Sequence, residues 1–214
     1  MPSGDQILGV TAQPRRPNLN AVILIGGASR RMGRPKATLV HGGQRLIDLA
    51  IQLAEPFVGA IFLAGRMPDG MTLESIRAAC LLPVMNLSDD PTASGPIAGI
   101  LAALAHDPQA DWLCLSCDMP GLTREAIDWL LNEHESRRTA TVGRPLDGES
   151  PEPFPAIYRA AALAPLRAYV QSGGASLRGA LTAMRADVCA VPTHLAPCWI
   201  NVNTPADWKR FLGS

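Results

Sequence analysis

Ala21-Val22-Ile23-Leu24-Ile25-Gly26-Gly27 is an apolar run closed by two glycines. That is the pattern of a strand buried on both faces and ending in a tight loop. Outward from it the chain alternates. Leu46, Leu49, Ala50, Leu53 and Ala54 recur at helical spacing up to Pro56, and Val58–Leu63 reads as a second buried strand. Leu81–Met85 (strand), Pro96–Ala105 (helix), Trp112–Ser116 (strand) and Thr123–His134 (helix, capped by Thr123) continue the series. Such alternation predicts a single-domain α/β fold, with a mainly parallel sheet and helices on both faces. Past Arg138, Thr139–Arg144 reads as a strand and Pro145–Pro155 as a long loop over one face. Ala156-Ile157-Tyr158 resumes apolar character. Helices over Ala160–Val170 and Ser176–Met184, a strand over Asp187–Val191 and a helix over Pro205–Leu212 complete the chain. Residues 1–19 read as a flexible tail and 20–214 as one domain.

Composition narrows the class. With 47% apolar and 18% charged residues, the chain is unlike collagen, disordered segments or coiled coils. Its longest unbroken apolar stretch, Ile97–Ala105, is too short to span a bilayer. No secretory signal pattern opens the sequence, so a cytoplasmic location is expected. Five cysteines form a sparse, odd set, and the Cys114/Cys117 pair sits on a strand where positions three apart face opposite ways. No shared thiolate metal is therefore expected. Net charge is zero, yet residues 1–50 hold seven cations (Arg15, Arg16, Arg30, Arg31, Arg34, Lys36, Arg45) against Asp5 and Asp48. This concentration suits a local anion site better than nucleic acid, for which a wider basic face and a recognition element would be expected.

Four stretches carry candidate chemistry. Leu24 to Lys36 runs from a strand into a loop with three glycines and four cations. Glycines let backbone N–H groups approach an anion, and Arg and Lys supply charge-assisted bonds. The loop matches neither a Walker A motif nor a Gly-x-Gly-x-x-Gly fingerprint. Lys36 is one of only two lysines beside 17 arginines, which suits a compact point charge on phosphate. Trp112 to Pro120 delivers Asp118 at a strand's carboxyl end, where α/β sheets bind ligands and where a carboxylate can hold Mg²⁺. A turn-forming role before Pro120 is the alternative. Gly95-Pro96-Ile97-Ala98-Gly99, preceded by Asp89-Asp90, opens a helix. Asn201-Val202-Asn203-Thr204-Pro205 precedes the last one; Thr204 with Asp207 explains half of it as a capping box. The asparagines are left over.

In this order and spacing, over about Ala21 to Leu212, the stretches resemble the molybdenum cofactor guanylyltransferases, nucleotidyltransferases with a Rossmann-like fold. The resemblance implies transfer of GMP from GTP to the terminal phosphate of molybdenum-molybdopterin, releasing pyrophosphate. It implies a nucleotide site at Leu24, Ile25, Gly26, Gly27, Lys36, Asp89 and Asp118, with Mg²⁺ on Asp118. Lys36, Arg31 and Asp118 are the expected catalytic residues, and Asn201 and Asn203 are assigned to the pterin. Molybdenum-insertion proteins and acceptor molybdoenzymes or their chaperones would be partners; nucleic acid and membrane would not. Gly26-Gly27 and the two asparagines match the guanine rather than the cytosine form. Ala64-Gly65 departs from the asparagine often found at the second strand's end. A cytidylyltransferase, a sugar-phosphate nucleotidyltransferase and a non-catalytic nucleotide-binding module are the alternatives.

Overall fold

The computed structural model describes residues 16, 18–26, 32–33, 35–77, 80–134, 139–145 and 150–213. Its elements are β1 (Leu19–Leu24), β2 (Val40–His41), β3 (Gln44–Arg45), α1 (Leu46–Ala54), β4 (Ile61–Ala64), α2 (Leu73–Arg77), β5 (Val84–Leu87), α3 (Pro96–His106), β6 (Asp111–Ser116), α4 (Arg124–Glu133), β7 (Ala140–Arg144), β8 (Ala156–Tyr158), α5 (Leu163–Gln171), α6 (Leu177–Ala183), β9 (Asp187–Ala190) and α7 (Pro205–Leu212). Seven strands form one sheet in the order β5-β4-β1-β6-β8-β7-β9. Its pairs are parallel except where β8 meets β6 and β7.

The period of two in the strands builds two cores. Ala21 and Ile23 of β1, and Ile25 just after it, face α1 and α4, joining Ile47, Ile51, Ile127 and Leu130. Val22 and Leu24 face the other way, onto Ile97, Ile100 and Leu101 of α3 and Leu166 of α5. Both sheet faces are thus covered, which is why β1 carries no polar alternation. The same rule separates Cys117, in the first core, from Cys114, in the second. Burial pushes the Cys117 thiol up to about 12 and the Cys114 thiol well above its ordinary value, so neither is a thiolate at neutral pH.

Helix ends follow their caps. The Thr123 side chain accepts from Ala126 N–H, the Ser176 side chain from Gly179 N–H, and Thr204 with Asp207 forms a full capping box before Pro205. Several expected boundaries move: the helix expected from Ala160 starts at Leu163 after a 3₁₀ turn, and three strand starts shift. The first strand begins at Leu19, inside the expected tail, and the Arg16 N–H donates to the Phe57 carbonyl at 3.0 Å. The second core strand starts at Ile61 rather than Val58, because Gly59 N–H turns aside to the Leu19 carbonyl. The strand expected over 81–85 runs from Val84 to Leu87. Pro83 has no N–H to give the ladder, and the Leu81 N–H is taken by the Glu55 carboxylate at 2.6 Å. Among the described residues no helix is long and apolar enough to cross a membrane.

Candidate active site

Strand order locates the site. After β1 the chain adds β4 and β5 on one side and then returns to place β6 on the other, so the switch point lies between the carboxyl ends of β1 and β6. Leu24 pairs with Ser116 there. A cleft of about 600 Å³ opens above this junction, lined by Leu24, Gly26, Lys36, Asp89, Ser116, Asp118, Glu152 and Asn201 among others. Ligands of open α/β sheets enter at such a crevice.

Part of its lining is a charged cluster. Pro35 leads into a short 3₁₀ turn that starts at Lys36, and the Lys36 ammonium donates to Asp118 Oδ2 at 2.7 Å and to Asn203 Oδ1 at 2.6 Å. Ser116 Oγ donates to the other Asp118 oxygen at 2.6 Å. The Asp118 carbonyl accepts from Val202 N–H at 2.8 Å, which pins the 201–203 segment to the end of β6. Asn203 N–H donates to Asp207 Oδ2. The Thr204 hydroxyl and then this N–H hold the Asp207 carboxyl below the usual range. The capping box of α7 therefore also aims Asn203 at the ammonium.

The adjacent acidic residues divide. Asp90 is engaged by the Thr92 hydroxyl and N–H, which lower its pKa. Asp89 lines the cleft, and desolvation raises its pKa, so an ionised Asp89 gains from N–H donors brought by a ligand. Gly99 explains the second glycine of the 95–99 motif: a Cβ there would stand 2.7 Å from Leu24 Cδ2 and 3.0 Å from the Ala64 Cβ. Its absence lets α3 settle on β1 and β4 beside Asp89.

Gly65 has a comparable reason. Its φ is +105°, and a Cβ would fall 2.5 Å from the Gly26 nitrogen. The β4 loop passes directly over the β1 loop here, so an asparagine cannot stand at 65 with this backbone. Gly65→Ala should cost about 2 kcal/mol in stability, seen as a lowered Tm, because strain and backbone overlap add.

The other expected positions sort as follows. Leu24 and Gly26 line the cleft. Ile25 does not: its side chain is buried in the α1/α4 core, as the alternation from Leu24 requires. Gly27 and Arg31 lie outside the described residues. Asn201 and Asn203, grouped in sequence, have different partners, since Asn201 Nδ2 donates to Glu152 Oε2 at 3.2 Å. Glu152, Phe154 and Ser116 are cleft residues that motif reading passed over. The Pro- and Glu-rich stretch 145–155 was the signal available for the first two.

A family model described as the MobA-like NTP transferase domain matches residues 21–188. The chain belongs to this family. It is thus a nucleotidyltransferase. The probable molybdenum cofactor guanylyltransferase of Rhodopirellula baltica is 32% identical over 209 residues, covering 92% of this chain and 94% of that one. Its counterpart in Synechococcus elongatus is 32% identical over 205 residues, covering 90% and 97%. Molybdopterin-guanine dinucleotide biosynthesis protein A from Archaeoglobus fulgidus superposes with a TM-score of 0.68 at 26% identity, over 89% of this chain and 95% of that one. The 4-diphosphocytidyl-2C-methyl-D-erythritol synthase of Anaerococcus prevotii shares the fold, with a TM-score of 0.69 at 13% identity.

Proposed function

We propose that this MobA-like transferase moves GMP from GTP to the terminal phosphate of molybdenum-molybdopterin, with loss of pyrophosphate. The observation that carries the reading is the Lys36–Asp118 pair lining a cleft with two unlike sides, with Asn203 on the same ammonium. The names of the relatives supply the acceptor. Strand order puts Asp89, after β5, on one side of Asp118, and Asn201 with the 150–155 segment on the other. On the first side, an ionised Asp89 accepts from guanine N1–H and N2–H₂; cytosine offers no such donor pair.

In-line attack by an acceptor phosphate oxygen on the α-phosphorus forms one P–O bond and breaks the bond to the β-phosphate. The protein mainly positions the partners and neutralises charge. Lys36 supplies a compact positive charge, and Arg31, five residues earlier in the sequence, is the second cation assigned to the phosphates. The acceptor phosphate is already an anion near neutral pH, so no strong general base is needed.

Asp118 fits Mg²⁺ as one carboxylate completed by substrate phosphates and water. This is the donor set that ion uses; among the described residues no group of three or more His, Cys, Asp or Glu forms an all-protein cage. When bound, Mg²⁺ would neutralise phosphate charge as a Lewis acid.

Pyrophosphate release from GTP, CTP, ATP and UTP, with molybdenum-loaded pterin present or absent, tests the reading. Turnover should require the pterin and Mg²⁺ and should favour GTP. Faster turnover with CTP under the same conditions would overturn the guanine assignment.

A further inference from the structure

Glu152 is a cleft carboxylate outside the four motifs. Its backbone N–H donates to the Gly143 carbonyl at 3.0 Å, which anchors the 150–155 segment to β7. One side-chain oxygen accepts from the Arg178 guanidinium of α6 at 3.1 Å, and the other from Asn201 Nδ2 at 3.2 Å. The Glu152 side chain is 25% exposed and that of Arg178 53%, so the carboxylate is the inner member of the network.

An asparagine amide has a donor end and an acceptor end, and an extended segment does not choose between its two flips. An ionised carboxylate does, because it only accepts. Glu152 takes Nδ2 and turns Asn201 Oδ1 away as an acceptor, while its other oxygen fixes the direction of a guanidinium that would otherwise swing freely at the surface. An amide oxygen on the cleft lining and a cation held behind it by the same carboxylate complement a substrate with heterocyclic N–H donors and a phosphate. The side of the cleft near Asp89 has a different character, with a carboxylate that no side chain among the described residues pairs and the glycine-bearing start of α3.

We propose that Glu152 is a positioning residue for the acceptor substrate, acting through Asn201 and Arg178; the proposal rests on the nucleotidyl-transfer reading above. The test is E152Q, which matches glutamate in shape. A glutamine presents one acceptor and one donor: with its oxygen on Arg178, its N–H faces Asn201, which must flip to accept it and so turns Nδ2 rather than Oδ1 away from residue 152, while Arg178 loses its charged partner. The KM for molybdenum-loaded molybdopterin should rise roughly tenfold or more, the loss typical of a charge-assisted bond. The KM for GTP should stay within about twofold.

The paired exchange E152Q/N201D keeps the net charge and lets the glutamine amide donate to an aspartate carboxylate, while its oxygen still accepts from Arg178. Its acceptor KM should return to within about threefold of wild type, a recovery that only a direct contact gives. If E152Q loses its thermal transition, R178A at the exposed end of the network should show the same split between the two KM values. Equal effects on both substrates, or none on the acceptor, would overturn the proposal alone. A wild-type protein with no turnover on any nucleoside triphosphate and pterin would overturn the function and the proposal together.

Discussion

Asp118→Asn is expected to lower turnover by roughly 10³-fold while the protein stays folded, the scale set by losing a preorganised charge aimed at a transferring phosphate. The carboxylate has two distinct tasks, with Lys36 on Oδ2 and Ser116 on Oδ1. An amide must present its nitrogen to one of these donors. It also removes the counter-charge that fixes the ammonium, and it is a poor Mg²⁺ ligand. The fold should tolerate the change because the Asp118 carbonyl, which holds Val202, belongs to the backbone. The Lys36–Asp118 pair is partly buried, at 18% and 16% side-chain exposure, but Asn203 still accepts from the ammonium, so loss of the pair should cost about 2 kcal/mol, seen as a lowered Tm. Pyrophosphate release at saturating GTP and Mg²⁺, beside a thermal melt, checks both halves. Activity near wild type would return Asp118 to the role of a turn former.

The second large effect concerns Lys36. Its replacement by alanine should reduce kcat/KM for GTP by roughly 10²-fold, about 3 kcal/mol of transition-state stabilisation. The geometry says why lysine is used in a chain otherwise furnished with arginine. Two oxygens, from Asp118 and Asn203, converge on a single nitrogen at 2.7 and 2.6 Å, and a compact ammonium can serve both and still direct a third N–H elsewhere. A planar guanidinium spreads its donors over a wide fork. Lys36→Arg should therefore recover only part of the rate. Steady-state kinetics on the two variants at fixed acceptor decides it, and an arginine variant equal to wild type would show that charge alone matters.

Much of the framework is legible in order along the chain. The apolar runs of β1 and β6 mark strands buried on both faces, and the helices begin where Thr123, Ser176 and Thr204 can cap them. Both signals are local, acting over two to four residues. The small hairpin of β2 and β3 was missed although Gly42-Gly43 stands at its turn, because two-residue strands show no periodicity. The strand near residue 84 was placed too early because the group that captures Leu81, Glu55, lies 26 residues away.

The candidate site divides along the same line. Residue types pointed to Lys36, Asp118, Asp89 and the asparagines, since each is polar at a strand end or helix start where the backbone alone does not need it. Their partners could not be read. Asp118 is 82 residues from Lys36, and Asn203 is 167; Asn201 and Asn203, two positions apart, serve different neighbours. By itself the sequence determined where strands and helices alternate, which side chains turn inward, and where glycine and charge collect. Only the tertiary structure decided that β1 lies between β4 and β6 and that Glu152 reaches Asn201. Periodicity states which way a side chain faces along its own element, whereas the order in which elements pack is decided by long-range burial among all of them at once.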